Sequence, residues 1–260
     1  MRRILYLLLV IVLLSGVAGS ALAAENWGLS FPSPGDKPVG NASAEALLEH
    51  GAYFIDPTEE KVIYLTFDAG FENGYTEPIL DVLRDAEVPA AFFLVGTYIR
   101  DHPELVRRMV AEGHIVANHT MNHPNMAGIS DIGRFRAELE AAEEAFETAT
   151  GEAMPKFYRP PEGKYSEANL KMAKELGYTT VFWSLTYVDW YVDDQPSKVQ
   201  AFEKLIPRMH PGAILMLHST SATNAEILEE LILVYREAGY EFRCLSELGR
   251  TCASKELIAP

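Results

Sequence analysis

The sequence predicts an α/β fold in which about seven parallel strands and their connecting helices form one domain. Three observations predict it. From Val62 onward, apolar runs of strand length alternate with amphipathic stretches. Ala111-Glu112-Gly113-His114, Glu175-Leu176-Gly177-Tyr178 and Glu237-Ala238-Gly239-Tyr240 each set a Gly after a helical pattern and before a strand, where a left-handed helix terminator belongs. The 260 residues, 48% hydrophobic and 23% charged, suit a single soluble domain. A barrel and a doubly wound sheet both fit this pattern. The strand count and single-domain length favour the barrel.

The elements follow in order. Arg2 and Arg3 precede an apolar run from Ile4 to Leu14, and Ala21-Leu22-Ala23 fits a signal-peptidase site. Residues 1–24 therefore read as a signal peptide of an exported protein. The alternative is an uncleaved membrane anchor, for which the run is short. No Cys follows the run at a lipoprotein position. Residues 25–60, with Trp27-Gly28 and Phe31-Pro32-Ser33-Pro34-Gly35, read as an extended lead-in. The folded domain is expected over 61–250 and a C-terminal tail over 251–260. Its candidate strands are Val62–Phe67, Ala90–Val95, Ile115–Ala117, Phe157–Tyr158, Thr180–Leu185, Ala213–Leu217 and Glu241–Leu245. Between them lie helical spacings such as Ile79, Leu80, Leu83 and Ala86.

Charge excludes some partners. Without Arg2 and Arg3 the chain keeps 20 basic against 37 acidic residues, a net charge near −17. Such a surface repels nucleic acid and gains nothing from anionic lipid. It also repels anionic wall polymers at long range, so a wall substrate needs local contacts. Cys244 and Cys252 are the two cysteines. Export permits a disulfide between them, but two free thiols are the favoured reading.

Polar residues gather at strand ends. Asp68 follows the first predicted strand, His119 the third, Arg159 the fourth, Asp189 and Trp190 the fifth, and His218 the sixth. In a parallel α/β barrel these ends share the face that carries active sites. His119 and His123, four residues apart, would face one side of a helical turn and hold one divalent metal; a hydrogen-bonded pair in a polar turn is the alternative. A metal beside a free carboxylate is the minimal kit for activating water. Taken singly, Asp68 fits a general base or a loop cap, His218 a general acid or a core histidine, and Trp190 a groove wall or core packing.

Five ordered motifs carry a resemblance. Thr66-Phe67-Asp68, His119-x-x-x-His123, Arg159-Pro160-Pro161-Glu162-Gly163, Asp189-Trp190 and Leu215-Met216-Leu217-His218 resemble those of the polysaccharide deacetylases, carbohydrate esterase family four, over residues 61–248. The resemblance implies a single-domain irregular (β/α) barrel and a hydrolase acting on a linear amide bond. Asp68-Ala69-Gly70-Phe71-Glu72-Asn73-Gly74-Tyr75-Thr76, Thr223-Asn224-Ala225-Glu226 and Trp27-Gly28 are similar to the delta-lactam-biosynthetic de-N-acetylases of spore-forming bacteria. Thr223-x-x-Glu226 also reads as an ordinary capping box.

By this resemblance Asp68 is the general base and His218 the general acid. Arg159 would pair with Asp68 and Asp189 with His218, while His119 and His123 would ligate Zn, Co or Mn. Trp190, Pro161 and Tyr75 would contact substrate. Pro160-Pro161 reads first as a rigid turn that aims Arg159. One departure matters: Ala69 stands where the wider family has a metal-binding aspartate, and Glu72 is the nearby carboxylate that would have to reach in. Because Asp68 lies at a strand's end, Asp68→Asn is expected to spare the fold.

The implied substrate is N-acetylmuramic acid in peptidoglycan glycan strands whose stem peptides another enzyme has removed. The freed amine would then close to muramic delta-lactam during spore cortex maturation. The implied location is extracellular, cell wall or forespore-associated, and the chain is expected to be a monomer. Two alternatives stay open. One is deacetylation of N-acetylglucosamine in peptidoglycan or chitin, or of acetylated xylan. The other is a non-catalytic wall-binding barrel, motivated by Ala69. His50, His102, His114 and His210 match none of the motifs.

Overall fold

The computed structural model describes residues 24–250. The expected leader, apart from Ala24, and the tail with Cys252 lie outside the described residues, as does any pairing of Cys244 with Cys252. Among the described residues no helix is long and apolar enough to cross a membrane.

Eight strands share one all-parallel sheet: β1 (Ala52–Tyr53), β2 (Val62–Ala69), β3 (Ala90–Leu94), β4 (Ile115–Asn118), β5 (Phe157–Tyr158), β6 (Thr179–Val181), β7 (Ala213–His218) and β8 (Glu241–Phe242). Seven of them run in the order β7-β2-β3-β4-β5-β6-β1, and β8 adds to the start of β2. The ring closes irregularly. Past β6 the chain leaves strand geometry, and Leu185 bridges Leu215 of β7 in place of a full strand pair. The barrel reading holds, with the run expected over Thr180–Leu185 cut to Thr179–Val181.

Side chains alternate along β2, as the period of a strand demands. Val62 and Tyr64 point into the barrel with Ala91, Phe93 and Ile214. Ile63, Leu65 and Phe67 point out, against Ile79, Leu80 and Leu83 of α2 (Thr76–Asp85) and Leu228 of α5 (Ala222–Glu237). Burying each such side chain contributes about 1.5–3 kcal/mol. The even-numbered register also sends Asp68 inward.

The three glycine stops behave as read. Gly113, Gly177 and Gly239 have φ of 82, 83 and 85. They end α3 (Pro103–Ala111), α4 (Glu167–Glu175) and α5, and the next N–H returns to the helix, as His114 does to the Met109 carbonyl.

The lead-in is a correction. Residues 25–60 are not extended throughout: they carry α1 (Ala44–Glu49) and β1. Ser43 caps α1 by accepting from the Ala46 N–H, and Leu47 is buried. Trp27 stacks on Phe182 at 4.9 Å and gives its indole N–H to the Trp183 carbonyl. These contacts span more than 150 residues of chain, which local patterning does not reveal.

Candidate active site

Asp68 is the penultimate residue of β2, beside His218 of β7 in the same register. Arg159, wholly buried, reaches it at the end of β5: Nη1 donates to Asp68 Oδ1 at 2.5 Å. The rest of the guanidinium is fixed by the carbonyls of Val181 (2.9 Å) and Phe182 (3.2 Å) and stacks over Phe93 at 4.0 Å. Burial alone would raise the Asp68 carboxyl; Arg159, then His119 and His218, outweigh it and hold it below the usual carboxylate range. Asp68 is therefore ionised at neutral pH. The buried pair also corrects the expectation that Asp68→Asn spares the fold, because Arg159 would lose its counter-ion in the interior.

His218 lies across the pocket. Its Nδ1–H donates to Asp189 Oδ1 at 2.7 Å, and its backbone N–H donates to Oδ2 at 2.9 Å. Burial pulls the imidazole down, but Asp189 overrides it and its pKa is raised. With Nδ1 committed to Asp189, Nε2 is the atom free to carry a proton into the pocket.

His119 and His123 meet with ring centroids 4.9 Å apart. They do so without the expected helical turn. Residues 119–125 are loop, and Thr120 and His123 have φ of 68 and 55. Side chains hold these left-handed residues: the Thr120 N–H donates to Asn118 Oδ1 (2.8 Å) and the His123 N–H to Thr120 Oγ1 (2.9 Å). Asn118 is itself pinned to the Leu139 carbonyl and the Tyr178 hydroxyl.

The pair fits a divalent cation. His119 Nδ1–H donates to the Arg159 carbonyl at 2.8 Å, which leaves the Nε2 lone pair on the side of Asp68, 3.9 Å away. Burial pushes the His119 imidazole down to about 4 and lowers His123 as well, so both are neutral at neutral pH and could each offer a lone pair to a cation. Among the described residues no group of three or more His, Cys, Asp or Glu side chains converges as a metal site. Two imidazoles therefore leave the remaining coordination to water or substrate. Glu72 does not complete the set. Its carboxylate accepts from the Gly74 N–H (2.6 Å) and the Tyr98 hydroxyl (2.9 Å), and it lines a different pocket with His102 and Glu104.

Asp68, His119, His123 and His218 line a pocket of about 460 Å³ with Pro160, Glu162, Gly163, Trp183, Trp190 and Met216. They also line a second recess, of about 400 Å³, with Ala69, Phe71, Thr97 and Asn122. Trp190 is 43% exposed and meets His218 edge-on at 5.8 Å, so it is a wall and not core. Two expected contacts are corrected. Tyr75 sits at the start of α2 and lines neither cavity. Pro161 is buried, and its neighbour Pro160 takes the pocket wall. Glu162 (φ 56) and Gly163 (φ 65) shape that turn. A β-carbon on Gly163 would lie 2.7 Å from the Trp183 ring.

Met216 and Trp183 complete the wall; Met216 lies in the last motif with no role of its own assigned to it, and Trp183 lies in none of the five. Met216 is two residues before His218 on β7, so strand periodicity alone places it on the same face. Trp183 gives no such signal, since it follows the end of β6 in irregular chain.

An ionised, cation-held carboxylate faces a carboxylate-backed imidazole across one cavity at the strand-end face of a parallel barrel. Fold and site are those of a hydrolase that activates water against an acyl group. The comparisons with known proteins narrow that class: the chain belongs to the polysaccharide deacetylase family, carbohydrate esterase family four. The polysaccharide deacetylase profile matches residues 55–181. The chain is 40% identical to the peptidoglycan-N-acetylmuramic acid deacetylase PdaA of Bacillus subtilis over 91% of this chain and 92% of that one. It is 42% identical to an uncharacterised protein of Geobacillus stearothermophilus over 86% of this chain and 84% of that one. The solved structure of B. subtilis PdaA superposes with a TM-score of 0.82 at 39% identity, covering 86% of this chain and 96% of that one.

Proposed function

We propose that this protein is an exported peptidoglycan de-N-acetylase that removes the acetyl group from N-acetylmuramic acid. The observation that carries the reading is the likeness to PdaA along nearly the whole of both chains, joined to an intact base and acid. Its product would close to the muramic delta-lactam of spore cortex. That closure needs a free lactyl carboxylate, so the substrate is a glycan strand already stripped of its stem peptide. The signal-like leader supports export to the wall or the forespore surface.

The residues suit amide hydrolysis. Asp68 takes a proton from the attacking water, and Arg159 keeps its carboxylate ionised and aimed. His218 Nε2 then gives a proton to the departing amine, which must leave neutral, while Asp189 holds the ring in position. Trp190 and Trp183 offer faces for the apolar side of a sugar ring. A divalent cation held by His119 and His123 would supply positive charge for the oxyanion and for acidifying water.

The non-catalytic reading rests on Ala69. A wall-binding barrel, however, has no use for a buried Arg159–Asp68 pair set against a proton donor. The test is incubation with peptide-free and peptide-bearing glycan in the presence of Zn²⁺, Co²⁺ or Mn²⁺, followed by assay of released acetate. Release from peptide-free strands supports the reading. No release under any of these conditions favours the binder.

A further inference from the structure

Asn224 lies wholly buried behind His218, outside both cavity walls. The segment around it does not form the capping box suggested by Thr223 and Glu226. Ser221 caps α5 instead, accepting from the Asn224 N–H at 3.2 Å. That leaves the Asn224 carboxamide free to face the loop carrying Asp189, and all its polar atoms are used. Nδ2 donates to Asp189 Oδ2 at 2.6 Å and to the His218 carbonyl at 3.0 Å. Oδ1 accepts from the Tyr187 hydroxyl at 2.5 Å. The network fixes which way the amide faces, since the flipped form would press two oxygens together at the Asp189 contact.

Asp189 thus receives three donors: His218 Nδ1, the His218 backbone N–H, and Asn224 Nδ2. Both carboxylate oxygens are occupied, so the group cannot turn without leaving a buried charge unsatisfied. We propose that Asn224, oriented by the Tyr187 hydroxyl, is a positioning residue that fixes the Asp189–His218 pair for delivery of a proton to the departing amine. The inference rests on the reading of His218 as general acid. The other groups that face His218 are Asp68, Arg159, His123 and the Trp190 ring.

The test combines kinetics with a spectroscopic readout. Asn224→Ala is expected to lower kcat by about 10- to 100-fold with KM held within about twofold, because the side chain lies outside the cavity. Tyr187→Phe keeps the ring and its packing and is expected to lower kcat by about three- to tenfold. In the Asn224→Ala background Tyr187→Phe is expected to add little, since the hydrogen bond its hydroxyl gives to the amide is already lost. Nitrogen-15 NMR of the His218 ring is expected to show a slowly exchanging Nδ1–H in the parent and faster exchange in both single variants. Additive losses in the double variant, a change confined to KM, or unaltered Nδ1–H exchange would overturn the proposal. If the parent releases no acetate from any glycan, the acid reading falls, while the exchange measurement still decides whether Asn224 positions the ring.

Discussion

Arg159 Nη1 and Asp68 Oδ1 stand 2.5 Å apart in an ion pair whose side chains are 0% and 7% exposed. The pair ties the end of β2 to the end of β5 and makes the proposed base part of the barrel's interior. One group thereby serves both reactivity and stability.

The first prediction follows from that double role. Asp68→Asn is expected to lose on the order of 10²–10⁴ in rate. It is also expected to cost about 3–5 kcal/mol of stability, because Arg159 stays buried without its counter-ion. Acetate assays and urea unfolding of the same preparation read both. A variant as stable as the parent would show that the pair adds nothing to the fold.

The rate should follow a bell in pH. Asp68 must be ionised and is held below the usual carboxylate range, so the acid limb should fall below about pH 4 in kcat/KM. His218 must be protonated and is raised, so the alkaline limb should lie above the ordinary imidazole value of about 6.5. Asp189→Asn should draw that limb back to lower pH. An alkaline limb that ignores Asp189→Asn would remove His218 from the acid's role.

Stability should bend with pH as well. His119 and His210 are buried and pushed down to about 4, so the unfolded chain binds more protons than the folded one between about pH 6.5 and 4. Stability is therefore lost as pH falls through that window, by up to about 1.4 kcal/mol per pH unit for each group. His218, raised in the folded state, adds stability that is complete below about pH 6.5 and is lost as pH rises through its folded value. Urea midpoints of metal-free protein, taken from pH 8 to 5, should peak near neutrality. A profile flat from pH 6.5 to 5 would contradict the burial of these imidazoles.

Ala69 sets the metal prediction. It lines the recess that holds His119 and His123, while its methyl packs in the outer apolar cluster. Ala69→Asp is expected to tighten Zn²⁺ binding by about one to two orders of magnitude in calorimetry. It need not raise the rate, since an anionic third ligand weakens the pull on bound water. Unchanged affinity would mean that the carboxylate does not reach the pair.

The strand-end logic was legible because it is local. Asp68, Arg159 and His218 follow short apolar runs, and Gly113, Gly177 and Gly239 mark the helix stops before β4, β6 and β8. What escaped depends on distant contacts. Ala52–Tyr53 becomes a strand only by pairing with Thr180–Val181. The run from Thr180 breaks because Leu185 must cross to Leu215 to close the ring. The His119–His123 spacing suggested a helix, but Asn118 and Thr120 stabilise left-handed backbone that brings the rings together another way. Trp183 owes its place to Gly163 and Trp27, both far away in sequence.

The central claim is that Asp68 and His218 deacetylate muramic acid within a peptide-free strand. Its most direct test is tandem mass spectrometry of disaccharides digested from treated glycan. The account predicts loss of one acetyl group on the muramic half, abolished by His218→Ala and not by His102→Ala. Acetyl loss confined to the glucosamine half, or equal loss with His218→Ala, would contradict it.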